Sequence, residues 1–361
     1  MYKEDGGFGK PEEVFIMEHV TTVAIDLAKK VFQLCGVNHR HKVVFNRSVK
    51  RGQLLAVVRE HPDALFAMEA CATSQYWART LTSMGLSVVL IPAQHVKAFT
   101  RGNKNDAKDA LAIAEAAHRP GIHGVPIKSM HQQEIQTLLR IRSGYVDGRT
   151  ALVNQVRGLL AEYGVVMPRG VGRFRKLLPQ VLADTEHALT PLVRAAMGMQ
   201  YQALVDLCDR IRAADAELRE VAAQDPICRQ LLRLRGIGPM TALALYASVG
   251  GAGQFANARQ FAAWLGLVPK HTGSGGKVTL GPMSKRGDPT LRTLLVHGAR
   301  SVLTWAHRRD DAFSHWALAV AQRRGKHKAT VAIANKTARM VWVALNRGID
   351  ALPRHHLSAA A

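Results

Sequence analysis

Strand-like patterning in this chain is confined to its first third and stops before Ser129. Up to that point, short apolar runs take turns with helical ones. Thr22, Ala24 and Asp26 alternate with Val23 and Ile25. Strand-like runs follow at Val31–Val37 and Val43–Phe45, then a helix at Gln53–Glu60, a buried strand at Leu65–Glu69 and a helix at Ser74–Met84. Val88–Ile91 is one more strand, closed by Pro92, and Asp106–His118 is an alanine-rich helix. Consecutive strands first, then strand and helix in alternation, predict a mixed sheet with flanking helices.

That element order is the one expected of a ribonuclease-H-like domain. The remainder reads as helical. Leu139, Val146, Val153 and Leu160 recur every seventh residue, as do Leu204, Ile211 and Leu218, with Leu207, Ala214 and Val221 offset by three. His131–Tyr163 is long for a globular helix, and Met167–Lys176 is a Gly/Arg-rich, turn-like break. Two long helices forming a coiled-coil-like antiparallel hairpin, either within one chain or at a subunit interface, follow from this, with an ordinary helical core as the competing reading. Beyond Leu231 the chain is again helical, interrupted by a Gly/Pro/Lys-rich loop from Val268 to Asp288, and then carries apolar-faced helices at Leu291–Arg308 and Ala329–Asn346. The expected fold class is therefore α/β plus all-α: a leader over 1–18, the α/β domain over 19–126, the helical hairpin over 127–228, a helical C-terminal domain over 229–348 and a tail over 349–361. The leader is polar and glycine-bearing and expected to be disordered; Met17 is a second candidate start.

Charge narrows the function classes. The 361 residues hold 49 Lys+Arg against 27 Asp+Glu, a formal net charge of +22. Such a surplus repels itself unless a polyanion balances it, and nucleic acid is the usual one. An anionic membrane surface is the alternative, but no basic amphipathic stretch with aromatic anchors and no lipidation signal is present. The apolar runs are too short to span a bilayer. Cys35, Cys71, Cys208 and Cys228 are far apart, as reduced thiols of a cytoplasmic protein would be, and no signal-peptide pattern opens the chain.

Asp26 stands in the middle of the apolar strand Val23-Ala24-Ile25-Asp26-Leu27, where an acid costs several kcal/mol to bury unless it is hydrogen-bonded or bound to a cation. Glu69 follows the apolar Leu65-Phe66-Ala67-Met68, and Asp106 and Asp109 open a helix three residues apart, so both carboxylates share a face. In a sheet of the expected order these four acids converge. Hard oxygen ligands of this kind hold Mg²⁺ or Mn²⁺, and metal-bound carboxylates serve phosphoryl transfer. Taken singly, Asp106 also reads as a helix N-cap, Asp109 as a first-turn acid and Glu69 as a strand-end surface residue.

Leu231 to Ala242 has the form of a helix-hairpin-helix. Arg235, Gly236, Gly238 and Thr241 are its candidate nucleic-acid contacts, with the amides at the following helix start aimed at a phosphate. Further on, Ser274 sits among glycines in the loop, surrounded by Lys270, Lys277, Lys285, Arg286 and Arg292. Such cations offset charge on phosphoryl oxygens, although Gly-Ser loops are more often linkers. Arg323, Arg324, Lys326 and Lys328 form a last basic cluster, a nucleic-acid grip or a solvated face.

Together these pieces resemble the DEDD transposases of bacterial insertion sequences, the one-ten and eleven-eleven group that pairs donor and target DNA through a bridge RNA. The resemblance runs from Thr21 to Asn346. It rests on Ile25-Asp26-Leu27-Ala28-Lys29, Met68-Glu69-Ala70, Lys104-Asn105-Asp106-Ala107-Lys108-Asp109-Ala110, Gly266-Leu267-Val268-Pro269, Ser274-Gly275, and Ser284-Lys285-Arg286-Gly287 with Leu291-Arg292. It implies a RuvC-like domain with Asp26, Glu69, Asp106 and Asp109 as the metal-binding tetrad. It also implies that Ser274 is the nucleophile that links covalently to DNA. Gly273 stands where many relatives carry a second serine, which leaves Thr272 as the fallback. The implied partners are double-stranded donor and target DNA, a noncoding bridge RNA and further copies in a homodimer or homotetramer, in a bacterial cytoplasm at the nucleoid. Two rivals keep most of these residues: a metal-dependent nuclease of Holliday-junction type, and a non-catalytic nucleic-acid-binding regulator.

Overall fold

The computed structural model describes residues 19–100, 105–273 and 279–357; the leader over 1–18 lies outside them. Two compact units are present, one ending at Ile127 and one beginning at Lys128.

The first unit contains β1 (Thr22–Asp26), β2 (Val31–Val37), β3 (Val43–Lys50), α1 (Leu54–Arg59), β4 (Leu65–Glu69), α2 (Ser74–Ser83), β5 (Ser87–Ile91), α3 (Ala93–Val96) and α4 (Asp106–Ala117). The sheet order is β3-β2-β1-β4-β5. β1, β2 and β3 are antiparallel neighbours, whereas β4 lies parallel to β1 and β5 parallel to β4. Asn38 fixes the β2–β3 turn, its side-chain oxygen accepting from the backbone of Arg40 and Lys42 at 2.9 and 3.0 Å.

Strand alternation sends residues to two faces. Ile25, Phe32, Leu34, Phe66 and Met68 pack with Leu54, Val58, Trp77 and Leu81 of α1 and α2. Ala24, Cys35, Ala67 and Ile91 pack with Ala110, Ile113 and Ala114 of α4. The small residues at 24 and 67 let α4 come close to the sheet. β3 runs five residues beyond the expected Phe45, pairing with β2 as far as Lys50. It is an edge strand with only Val49 buried, so its polar residues carry no hydrophobic alternation to read.

The second unit contains α5 (Met130–Ala161), α6 (Val171–Ala183), α7 (Pro191–Gln224), α8 (Pro226–Leu232), α9 (Pro239–Val249), α10 (Ala258–Trp264), β6 (Pro269–Thr272), β7 (Thr279–Met283), α11 (Pro289–Trp305), α12 (Ala312–Arg324) and α13 (Lys326–Arg347). A capping box of Ser129 and Gln132 starts α5. α5 and α7 run antiparallel, with Val153, Val156 and Leu160 in one cluster with Leu204 and Cys208, and Arg142 Nε donating to Asp215 at 2.8 Å. Their other ends, at Ile135, Leu218 and Ala222, join the core of α8–α13. Hairpin and C-terminal helices therefore share one core.

Two segments differ from expectation. The break at Met167–Lys176 is only partly a turn: Gly170 takes φ +96° and α6 starts beside it, burying Phe174 and Leu178 one turn apart. The loop from Val268 to Asp288 contains a β-hairpin, β6 paired with β7 through Pro269–Met283, His271–Leu280 and Thr272–Thr279. All four residues of β6 are exposed, so no burial pattern announces the strand.

Candidate metal centre and nucleic-acid contacts

Asp26 closes β1 on the face that α4 covers, the same face as Ala24. The N-cap of α4 is Asn105, whose side chain accepts from Ala107 N at 2.9 Å. Asp106 is therefore the first helical residue and not the cap, and Asp109 lies one turn on. One carboxylate oxygen each from Asp26, Asp106 and Asp109 come within 4.8 Å of one another. At that spacing two unit charges repel by about 1 kcal/mol in water and roughly 3–4 kcal/mol near a protein surface. A cation with a preference for hard oxygen donors reverses the sign of that interaction, and three carboxylates are a donor set suited to Mg²⁺ or Mn²⁺. Glu69 ends β4, one residue past the Ile25–Met68 pair of the neighbouring strands. It shares the α4 face with Ala67, yet among the described residues it is not one of the closely spaced group.

The turn between α8 and α9 is tightly packed. Gly236 has φ +82°, and a Cβ on it would lie 2.9 Å from Val302 Cγ2 and 3.1 Å from the carbonyl of Gly298 on α11. Gly238 is the N-cap of α9, with open space where a Cβ would stand. Thr241 is buried in the first turn of α9. Arg235, read from the sequence as a nucleic-acid contact, is turned inward and only 6% exposed. Its guanidinium donates to both oxygens of Asp311, to Ser314 Oγ and to the His355 carbonyl. A side chain so buried and so bonded is held facing inward, where it binds the turn to α12.

Ser274 and Lys277 lie outside the described residues. The root of the hairpin that flanks them is wired in detail. Ser284 N donates to Val268 O at 2.8 Å. Gly266 (φ +71°) lies against Arg286 and Gly287 (φ +81°) against Trp264, each so close that a Cβ would overlap backbone atoms. Arg292 Nη1 donates to the carbonyls of Leu265 and Arg286 at 3.3 and 3.0 Å, so this cation also serves the fold. Lys285, at φ +55°, and Arg286 are exposed. Arg323 and Arg324 end α12, and Lys326 and Lys328 open α13 across Gly325; all four are exposed. Lys328 also lines a cavity of about 740 Å³ with Leu267, Trp316, Lys336, Arg339 and Met340.

Several contributors were missed in the sequence. Asp311 and Ser314 are ordinary polar residues there, and their signal is a helix-cap spacing (Asp311 caps α12 through Ser314 N at 2.9 Å). Asn46 and Gln33 sit in strands whose polar positions look solvent-facing. Among the described residues, no helix is long and apolar enough to cross a membrane.

Residues 23–165 match the DEDD transposase model of the IS110 type, and residues 228–315 match the Transposase IS116/IS110/IS902 family. The chain is 43% identical over 331 residues to a transposase for insertion sequence element IS1111A from Coxiella burnetii, covering 92% of this chain and 91% of the relative. The chain belongs to the IS110/IS116/IS902 family of transposases. A probable family 20 transposase from Pseudomonas aeruginosa is 46% identical over 91% of this chain and 98% of its own length. The transposase for insertion sequence element IS1328 from Yersinia enterocolitica is 35% identical over 92% and 98%. Membership of a transposase family implies DNA binding, and DNA cleavage and strand transfer are the activities expected of such a chain. The DEDD signature of the family agrees with the acidic cluster in pointing to a divalent cation.

Proposed function

We propose that this transposase exchanges DNA strands through a covalent phosphoserine link. Ser274 is its nucleophile, and Asp26, Asp106 and Asp109, with Glu69 beside them, hold the divalent cation. The observation that carries the reading is the convergence of three carboxylates at the sheet–α4 junction in a chain of this family. A divalent cation held there supplies Lewis-acid stabilisation of charge building on the phosphoryl oxygens. The Ser274 Oγ forms a bond to phosphorus while the ester bond to one deoxyribose oxygen breaks. The hydroxyl proton ends on the departing alcohol. A free DNA hydroxyl then attacks the phosphoserine and releases the serine with the new strand joined. The link conserves the bond through exchange, so no nucleotide triphosphate is needed.

Exposed Lys285 and Arg286, with Arg323, Arg324, Lys326 and Lys328, fit phosphate contacts; Lys277 belongs with them by sequence. Gly238 supports a backbone contact at the start of α9 by its open surroundings, whereas Gly236 and Thr241 are explained by packing. A noncoding bridge RNA and a homodimer or homotetramer complete the reading, supported by family membership and by the net charge of +22.

A covalent-adduct assay tests it. Wild type and Ser274→Ala are incubated with Mg²⁺, the cognate RNA and labelled donor DNA and resolved on a denaturing gel. A retarded protein–DNA band in wild type and none in the variant is the expected result. Equal DNA cleavage by both proteins with no adduct would replace the serine route by a water-dependent nuclease of junction type. Unaltered DNA in both lanes, with binding intact, would leave a regulator.

A further inference from the structure

We propose that Asn46 is a positioning residue for the acidic site: it fixes the first turn of α4 against the sheet. This inference rests on the metal-site reading above. Across three strands the register aligns Asp26 of β1 with Gln33 of β2, and Gln33 with Ser48 of β3. The Ser48 hydroxyl donates to Gln33 Oε1 at 2.6 Å. That contact sets which way the Gln33 amide points, and its Nε2 donates to Asn46 Oδ1 at 2.6 Å. Asn46 is then left with its amide nitrogen, which donates to the carbonyl oxygen of Ala107 at 2.9 Å.

Ala107 stands between Asp106 and Asp109, so the relay starts in the strand row of one acid and ends on the helical turn of the other two. Its polarity is fixed from end to end. The residue at 46 must accept from Gln33 and donate to Ala107, and a carboxamide does both where a carboxylate or an aliphatic side chain cannot. The need for a tether follows from the packing. α4 meets the sheet through Ala110, Ile113 and Ala114 against Ala24, Cys35, Ala67 and Ile91, and apolar contacts of this kind are non-directional. They allow close approach but set no angular register. The acids, in contrast, must hold their oxygens to within a fraction of an ångström for a shared cation. Thr22 and His118 join β1 to the far end of α4 at 2.9 Å; the Asn46 bond supplies the directional contact at the start of the helix, where Asp106 and Asp109 stand. Asn46 is itself exposed on an edge strand, so its replacement removes the tether without opening the core.

The full-length protein is compared with Asn46→Leu, Ser48→Ala, Asp109→Asn and, as an exposed control on the same strand, Arg47→Ala. Two readouts are taken: amide hydrogen exchange over residues 106–110 without metal, and Mn²⁺ affinity by titration followed by electron paramagnetic resonance. Loss of one hydrogen bond predicts exchange about 3–10-fold faster in Asn46→Leu and Mn²⁺ bound about 3–10-fold more weakly. Ser48→Ala should shift both in the same direction by less, and Arg47→Ala should match wild type. Unchanged exchange in Asn46→Leu would overturn the tether. Faster exchange with unchanged Mn²⁺ affinity would overturn the positioning role and leave a fold contact. If wild type and Asp109→Asn bind Mn²⁺ alike, the metal-site reading fails, and the tether stands or falls on the exchange result alone.

Discussion

Arg235 and Asp311 are 76 residues apart in sequence, yet one guanidinium nitrogen lies 2.8 and 2.9 Å from the two carboxylate oxygens. The pair joins the turn before α9 to the cap of α12. Because Arg235 is 6% exposed, removing its partner strands a cation out of water. Asp311→Ala should lower stability by about 2–3 kcal/mol, less than a fully buried pair because the carboxylate keeps some solvent. Urea denaturation measures this. Arg235→Met should leave the salt dependence of DNA binding at the wild-type slope; a reduced slope would return Arg235 to the phosphate contacts.

His356 gives the same region a pH response. It packs edge-on against Phe313 at 5.1 Å, and its Nδ1 is buried without a hydrogen-bond partner among the described residues. Burial first, then the charges of His355, Lys336 and Arg235, push its pKa down to about 4, against the opposing pull of Asp311. The folded value is below the unfolded one near 6.5, so the unfolded chain binds the extra proton between them. Stability contributed by neutral His356 is thus full above about pH 6.5 and lost as the pH falls towards 4, on the order of 2 kcal/mol in all once solvent screening of the partly buried ring is allowed for. Melting temperature against pH should show this decline, and His356→Phe should flatten it.

The acids make the most direct chemical prediction. Asp26→Asn and Asp109→Asn should each reduce Mg²⁺-dependent cleavage of donor DNA by about 100-fold or more, a loss of roughly 3 kcal/mol in transition-state stabilisation. The melting temperature of Asp109→Asn without metal should be at or above wild type, since it removes one like charge from the cluster. A chelator should stop cleavage and spare binding. Variants that cleave at the wild-type rate would remove the site from the chemistry.

The exposed cluster at the α12–α13 junction is expected to act through charge alone. Replacing Arg323, Arg324, Lys326 and Lys328 together by alanine should lower the slope of log affinity against log salt by up to about 3–4, if each meets one phosphate of duplex DNA. The loss should be uniform across DNA sequences. Filter-binding titrations at several salt concentrations check it, and an unchanged slope would make the cluster a solvated face.

The sheet and the approach of Asp26 to Asp106 and Asp109 were legible in the sequence because burial imposes periodicity, whereas Glu69, expected with them, is not in the closely spaced group. Ile25, Phe66 and Met68 announce their strands, and Asp26 stands out against them. The heptads at Leu204, Ile211 and Leu218 announced α7 for the same reason. What stayed hidden is held by hydrogen bonds between polar residues. β3 beyond Phe45, the β6–β7 hairpin and the Gln33–Asn46 relay have no apolar alternation to read. Arg235 reads as a phosphate contact because it is a cation beside glycines, and only the fold reveals Asp311 across from it. In the same way Gly236 owes its place to the close approach of Gly298, which no local pattern displays.

Among its described residues the β6–β7 hairpin contributes little beyond Met283 to the core, and its root is clasped by Gly266, Gly287 and Arg292. Stability and sequence are therefore decoupled above the clasp and tightly coupled within it. Random substitutions should be tolerated by the fold along the ribbon and rejected at its base. Library selection in this stretch would then report reactivity nearly free of folding effects, which makes the ribbon the natural place to diversify this transposase.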